Sequence, residues 1–248
     1  MYFKLLKNIV RYRDIDLDPV EYLVLGDRKL IFIVIGKVAC TSIKATIGKS
    51  YNIDYRHESG LDVHMHSGWH KEYRKLKDPS SAYFKFAFVR NPLSRLVSCY
   101  RDKILFEGAS VDYPDYYFKN YYFDIPPNIS FASFVERIVK IPDHLADRHF
   151  KSQSYSIFRR DKSIKPDFIG RFENLQQDWS VLAKKFGLHP ELAHLHSSIQ
   201  KPNIEKKDFR LYYDMELLDI VHERYKEDFE LLGYEDAFKA VVDFVRSK

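Results

Sequence analysis

The chain has 248 residues, of which 45% are hydrophobic and 30% charged, and its formal net charge is +5. This length suffices for one or two hydrophobic cores. We expect one domain over residues 1–248, with residues 1–29 as an N-terminal extension and edge strand and residues 30–248 as the core. Basic and acidic residues are interleaved along the chain rather than gathered in one block, which argues against a nucleic-acid partner.

Apolar segments and cysteines bear on where the protein is found. The longest apolar runs, such as residues 30–35, are far shorter than the roughly 20 residues that span a bilayer, and residues 1–14 lack the uninterrupted apolar stretch of a secretory signal. The two cysteines, Cys40 and Cys99, are too few for an extracellular disulfide framework. We therefore expect a cytoplasmic protein. The mixture of apolar and basic residues at the N-terminus also suits peripheral contact with the inner face of a membrane.

Strand and helix signals alternate along most of the chain. This alternation is typical of an α/β fold with a central parallel sheet flanked by helices, followed here by a helical C-terminal third. Gly187 and Gly233 follow helical patterns and are expected to end them. The predicted strands are residues 22–25, 30–35, 85–89 and 167–172, and the predicted helices include residues 41–49, 93–105, 131–141, 174–186 and a repeat of apolar residues over 218–232.

The first motif is a buried strand that runs through a tight turn into a helix. Residues 30–35 are followed by the run Gly-Lys-Val-Ala-Cys-Thr-Ser at residues 36–42. Lysine supplies a positive charge, and hydroxyls at a helix start lie beside backbone N–H groups that favour phosphate. The order differs from a Walker motif, in which Ser or Thr directly follows the lysine. By itself the segment is equally consistent with a helix capped by Thr41 or Ser42 and a solvated Lys37.

The second motif begins where the strand at residues 85–89 ends. Arg90 comes next, and Asn91 and Pro92 are the residue types preferred at a helix N-cap and first position. The planar guanidinium suits two-pronged phosphate contacts, and the hydroxyl of Ser98 in the second helical turn adds a donor. Taken alone, an ordinary helix start beside a surface arginine explains this segment better.

Together, the two motifs resemble those of sulfotransferases that use 3′-phosphoadenosine 5′-phosphosulfate (PAPS), in particular the carbohydrate sulfotransferases. That family's Pro-Lys-x-x-x-Thr-Ser turn grips the 5′-phosphosulfate and matches Lys37, Thr41 and Ser42, with Gly36 in place of the proline. Its second motif, Arg-x-Pro followed by Arg-Leu-Val-Ser-x-Tyr, binds the 3′-phosphate and is similar to residues 90–100. Later family landmarks resemble residues 148–153, 167–175 and 225–234.

The resemblance implies a P-loop-like sulfotransferase fold and transfer of a sulfuryl group from PAPS to a hydroxyl of a carbohydrate or glycoconjugate. Adenosine 3′,5′-bisphosphate is then the product. Lys37 is expected to offset the charge that grows on the leaving phosphate oxygen. The residues expected to hold the donor are Lys37, Val38, Ala39, Cys40, Thr41, Ser42, Arg90 and Ser98, with Ser198 and Lys201 of a late loop.

Transfer to a hydroxyl also needs a base that accepts its proton. His64 and His66 are the first candidates because they project to one face if their segment is extended, and we favour His66. His149 and Glu173 are reserves, and each histidine is also explained by a structural role. No cysteine or closely spaced carboxylate completes a zinc site around His64, His66 and His70, so no metal is expected. The aromatic tract at residues 113–123 offers rings for a sugar or for adenine.

Two other classes of function stay open. A nucleotide-dependent kinase with a P-loop-like fold should show a Walker lysine and an acidic residue after its second strand, whereas Arg90 stands there. A non-catalytic module that binds anionic glycans needs only the basic turns. Neither the acceptor sugar nor the oligomeric state follows from these residue types.

Overall fold

The computed structural model describes residues 16–53, 82–105, 125–158, 165–193 and 207–248. The chain divides into two compact units. The first unit, called here the sheet unit, is Val20–Arg90 with Ser156–Pro202. The second, called the helical unit, is Met1–Pro19, Asn91–Tyr155 and Asn203–Lys248. The boundaries of a single domain stay a prediction.

The sheet unit contains a four-stranded sheet in the order β1-β2-β3-β4. β1 lies at an edge and pairs antiparallel with β2, whereas β2, β3 and β4 are parallel to one another. The carboxyl ends of these three parallel strands therefore meet at one edge of the sheet. The predicted α/β class with a mostly parallel sheet and flanking helices is confirmed. The strands are β1 (Glu21–Leu25), β2 (Leu30–Val34), β3 (Phe84–Val89) and β4 (Phe168–Arg171).

The described helices agree closely with the sequence pattern. Gly187 and Gly233 follow two of them with φ of 62° and 68°, the left-handed conformation that glycine adopts without strain, as predicted. The α-helices are α1 (Cys40–Lys49), α2 (Pro92–Lys103), α3 (Phe131–Ile138), α4 (Gln153–Phe158), α5 (Leu175–Phe186), α6 (Met215–Arg224), α7 (Lys226–Leu232) and α8 (Glu235–Arg246). Short 3₁₀ turns lie at Gly26–Arg28, Asp143–Leu145, Phe172–Asn174 and Phe209–Tyr212.

The core of the sheet unit is built on the aromatic residues of the central strands. The rings of Phe32 and Phe86 stack with their centroids 4.9 Å apart, and Phe88 meets Phe86 edge to face. Side chains on both faces of β2 and β3 are buried, which accounts for their almost continuous apolar runs. Gly170 of β4 lies so close to Phe88 that a Cβ atom at residue 170 would stand 2.4 Å from its ring.

Polar contacts fix the helices of the sheet unit. Lys44 of α1, which is buried, forms an ion pair with Glu21 of β1. Arg28 donates to the carbonyl oxygens of Phe186 and Gly187 at 2.5 and 2.6 Å, so it satisfies backbone acceptors at the end of α5.

The helical unit is held by buried polar side chains as well as by apolar packing. Arg95 of α2 donates to the carbonyl oxygens of Lys151 and Arg148 at 2.9 and 3.0 Å. The fully buried carboxylate of Asp228 accepts the backbone N–H groups of Gln153 and Ser154 at 2.9 and 2.7 Å. These contacts join α2 and α7 to the segment around α4.

The apolar residues that recur over 218–232 are buried in the core, as their spacing predicts. Their helical pattern is divided between α6 and α7 at Tyr225, where φ is −112° and ψ is 24°. The buried Tyr225 hydroxyl donates to the carbonyl oxygen of Phe150 at 2.6 Å, a contact that is distant in sequence.

Among the helices in the described ranges, none combines the length and hydrophobicity that crossing a bilayer requires.

Candidate anion-binding site

Within the sheet unit, three chain segments leave the sheet at the carboxyl ends of its parallel strands. The turn that contains Lys37 follows β2, Arg90 follows β3, and Phe172 follows β4. The parallel register pairs Ile33 with Ala87, and Val89 with Arg171. Ligands of open α/β sheets bind outside the carboxyl ends of the strands, so this edge is the expected position of a binding site.

The turn after β2 has an unusual backbone. Lys37 and Ala39 have positive φ values of 67° and 63°, whereas Gly36 and Val38 do not. A left-handed conformation at a residue other than glycine costs about 1–3 kcal/mol and is concentrated at functional sites. Successive N–H groups in a backbone whose φ alternates in sign form a concave anion site. Val38, which is completely buried, anchors this turn in the core.

Helix α1 begins directly after the turn. Its N-cap is Ala39, which makes no side-chain capping bond, so Thr41 and Ser42 are not the cap that the sequence alone allowed. Both hydroxyls instead lie in the first turn of the helix, where Thr41 is buried and Ser42 half-buried. The positive end of the helix dipole is therefore directed at the strand edge beside Lys37, which favours a bound anion.

Arg90 bridges the two neighbouring strand ends. Its Nη1 donates a hydrogen bond to the carbonyl oxygen of Lys37 at 3.4 Å, and its Cζ lies 4.2 Å from the centroid of the Phe172 ring. The side chain is half-buried. The guanidinium thus lies beside the turn that contains Lys37. That the two motifs hold a single ligand with anionic groups at both ends stays a prediction.

The second motif has the predicted helix start. Asn91 is the N-cap of α2 and its Oδ1 accepts the backbone N–H groups of Leu93 and Ser94 at 2.9 and 3.4 Å, with Pro92 as the first helical residue. Ser98 lies further along α2, in the helical unit, and is half-buried. Its assignment to the 3′-phosphate stays a prediction.

Several predicted residues lie outside the described ranges. These are the base candidates His64 and His66, the late-loop residues Ser198 and Lys201, and the aromatic tract at residues 113–123. Their roles stay predictions.

Within the described ranges, no group of three or more His, Cys, Asp or Glu side chains is arranged to hold a metal ion.

The two reserve bases are described. In the helical unit, His149 Nδ1 lies 2.6 Å from Oδ1 of the buried Asp147. Burial acts to raise the pKa of Asp147, but the charge and hydrogen bonds of His149, together with the charge of Arg148, outweigh it and keep that pKa below its ordinary value. In the sheet unit, Glu173 is exposed and directly follows Phe172.

Phe172 is the site residue that the sequence motifs missed. It was expected only as the end of the strand at residues 167–172, with no role at the site. The available signal was its position, because it leaves β4 just as Arg90 leaves β3, one step beyond the paired residues Val89 and Arg171.

Comparisons with known proteins give matches over most of the chain. A family model described as the sulfotransferase family matches residues 20–235. Carbohydrate sulfotransferase 14 of Danio rerio is 26% identical over 229 residues, which cover 86% of this chain and 61% of that protein. Carbohydrate sulfotransferase 12 of Mus musculus is 23% identical over 276 aligned positions, covering 90% and 62% of the two proteins. Carbohydrate sulfotransferase 9 of Homo sapiens is 24% identical, with 81% and 52% covered.

The chain thus spans between about half and three fifths of the length of these relatives. No solved structure gives a significant match to it.

Proposed function

The chain belongs to the sulfotransferase family, and from that premise we propose that it transfers a sulfuryl group from PAPS to a hydroxyl of a carbohydrate or glycoconjugate. The similar proteins are named carbohydrate sulfotransferases, which supports this acceptor class. The observation that carries the proposal is the meeting of Arg90 with the turn that contains Lys37.

The described residues suit the two ends of the donor. The N–H groups of the turn at residues 36–39 and the start of α1 suit the 5′-phosphosulfate, because both present partial positive charge to an anion. The hydroxyls of Thr41 and Ser42 add donors in the first turn of the helix. Arg90 suits the 3′-phosphate, since a guanidinium presents a planar fork of N–H groups.

Transfer forms one bond and breaks another. The acceptor oxygen attacks the donor's sulfur atom, and the bond between that sulfur and the bridging oxygen of the 5′-phosphate breaks as adenosine 3′,5′-bisphosphate leaves. The proton of the acceptor hydroxyl passes to a base, for which His66 is the first candidate and His64 the second. The ammonium of Lys37 offsets the negative charge that develops on the leaving oxygen.

A transfer assay tests this function. The chain is incubated with PAPS that carries a radiolabelled sulfuryl group and with a panel of glycans, glycolipids and simple glycosides. Incorporation of label into a carbohydrate, with stoichiometric release of adenosine 3′,5′-bisphosphate, is the expected result. Label that stays in the donor with every acceptor, while the chain still binds anionic glycans, would favour a non-catalytic binding module.

A further inference from the structure

The guanidinium of Arg90 is held from two sides within the sheet unit. Its Cζ lies over the ring of Phe172, 4.2 Å from the ring centroid. One edge is directed at the Lys37 carbonyl oxygen through Nη1, at 3.4 Å. The ring restricts the guanidinium on one side, and the hydrogen bond restricts the direction of Nη1.

The ring of Phe172 has a firm position of its own. The register of β3 and β4 pairs Val89 with Arg171, so the next residues along the two strands, Arg90 and Phe172, leave the sheet side by side. The backbone N–H of Arg171 donates to Oδ2 of Asp178 at 2.6 Å, which fixes the chain where β4 ends. The backbone therefore places the ring, and the ring in turn restricts the long arginine side chain.

The ring leaves the N–H groups of the guanidinium to meet an anion. Because Phe172 occupies one side of the group and Nη1 is directed at the Lys37 carbonyl oxygen, a phosphate is met by the remaining N–H groups of the fork. An arginine that is already restricted in this way loses less conformational freedom when the ligand binds. Resting on the proposed function, we propose that Phe172 is a positioning residue that holds Arg90 in the orientation needed for the donor's 3′-phosphate.

The test compares two nucleotides that differ in that phosphate. Calorimetry measures the affinity of the intact chain for adenosine 3′,5′-bisphosphate and for adenosine 5′-monophosphate. In Phe172→Leu we expect the affinity for the bisphosphate to fall about three- to thirtyfold, the range of a partly buried cation–π contact. The affinity for the monophosphate should stay unchanged. Phe172→Tyr and Phe172→Trp keep an aromatic face and should restore bisphosphate binding.

The same strand supplies a matched control. At the amino end of β3, Lys185 Nζ lies 3.9 Å from the centroid of the Phe84 ring, a cation–π contact at the opposite end of that strand. Phe84 and Phe172 are both half-buried. Phe84→Leu removes an equivalent ring from the same unit and should leave both nucleotide affinities unchanged, while thermal unfolding reports any loss of stability in either variant.

The outcomes separate the positioning role from the proposed function. Unchanged bisphosphate affinity in Phe172→Leu overturns the positioning role, and so does an equal loss of affinity for both nucleotides. If Phe172→Leu does not fold, Phe172→Met replaces the ring with an unbranched apolar side chain and is held to the same criteria. A native chain that does not prefer the bisphosphate to the monophosphate overturns the proposed function itself.

Discussion

The guanidinium of Arg90 donates to the carbonyl oxygen of Lys37 at 3.4 Å, although 53 positions separate the two residues in sequence. The contact exists because β2 and β3 are parallel neighbours whose carboxyl ends meet at one edge of the sheet. The Arg90 side chain therefore contacts the turn that contains Lys37, and the first two predictions below concern what each residue contributes there.

Lys37→Ala should lower kcat by about 10²–10³-fold while donor binding is partly retained. The reason is that the Lys37 ammonium acts mainly on negative charge that develops in the transition state. The backbone N–H groups of the turn still bind PAPS before transfer. Steady-state kinetics with PAPS and a reactive acceptor measure this. A variant with native kcat, or one whose only defect is a raised KM for PAPS, would contradict the assignment.

Arg90→Ala should chiefly weaken nucleotide binding. Loss of charge-assisted hydrogen bonds worth about 1.5–3 kcal/mol corresponds to a roughly ten- to hundredfold rise in the Kd of adenosine 3′,5′-bisphosphate. The matched control is Arg28→Ala, which removes another arginine of the sheet unit and uncaps the end of α5. That control should lower thermal stability and leave nucleotide affinity near the native value.

The left-handed backbone of Ala39 gives a prediction about stability. Ala39→Val puts a β-branched side chain at φ 63° and should lower the free energy of unfolding by more than about 1 kcal/mol, because such residues rarely adopt this conformation. Ala39→Gly relieves the strain but has a more flexible unfolded chain, so its stability should change by less than about 1 kcal/mol. Denaturant unfolding compares the two, and equal stabilities would show that the turn relaxes.

Gly170→Ala should destabilise the sheet unit by about 1–3 kcal/mol, as expected for overpacking in a close-packed core. The added Cβ would stand 2.4 Å from the ring of the fully buried Phe88. Phe88→Leu in the same chain should recover part of the loss, since the two positions share one space and their effects are then not additive. Strictly additive losses in denaturant unfolding would refute this packing.

The helical unit should lose stability in acid through Asp143. Burial acts to raise the pKa of this carboxyl, but the charge and hydrogen bond of Arg224, whose Nη2 lies 2.6 Å from Oδ1, together with hydrogen bonds from Ser152, outweigh it and leave the pKa below its ordinary value. The contribution of Asp143 to the free energy of unfolding is therefore complete above the pKa that the carboxyl has in the unfolded chain, about 3.9. This contribution is lost as the pH falls through the pKa that it has in the folded chain. Asp143→Asn should be less stable than the native chain near neutral pH, with the difference shrinking below about pH 4.

Urea unfolding over a range of pH measures this difference. The control is Asp236→Asn, because Asp236 pairs with Lys239 on the surface of α8, where such pairs contribute about 0–1 kcal/mol. A stability difference between Asp143→Asn and the native chain that does not depend on pH would show that the carboxyl acts through packing alone.

The strands and helix ends that were predicted correctly are marked by short sequence patterns. Apolar runs mark the buried strands, Asn91 and Pro92 mark the start of α2, and Gly187 marks the end of α5. Each of these depends on a few neighbouring residues. The proximity of Arg90 to the turn that contains Lys37 could be inferred because each follows a buried strand, and the carboxyl ends of parallel strands meet at one edge of a sheet.

Contacts that are distant in sequence account for what could not be predicted. Phe172 is found beside Arg90 only once the register of β3 and β4 is known, and Tyr225, at the break between α6 and α7, makes a hydrogen bond to Phe150 that no local pattern indicates. Ala39 as a left-handed N-cap has no local signal either, because alanine carries no capping group and does not favour positive φ.

The central claim is that the edge beside Lys37 and Arg90 binds a nucleotide with phosphate at both the 3′ and 5′ positions. Titration calorimetry of the chain with adenosine 3′,5′-bisphosphate and with ATP tests this claim most directly. We expect the bisphosphate to bind with one site per chain and more tightly than ATP. Tighter binding of ATP, or no binding of either nucleotide, would contradict it.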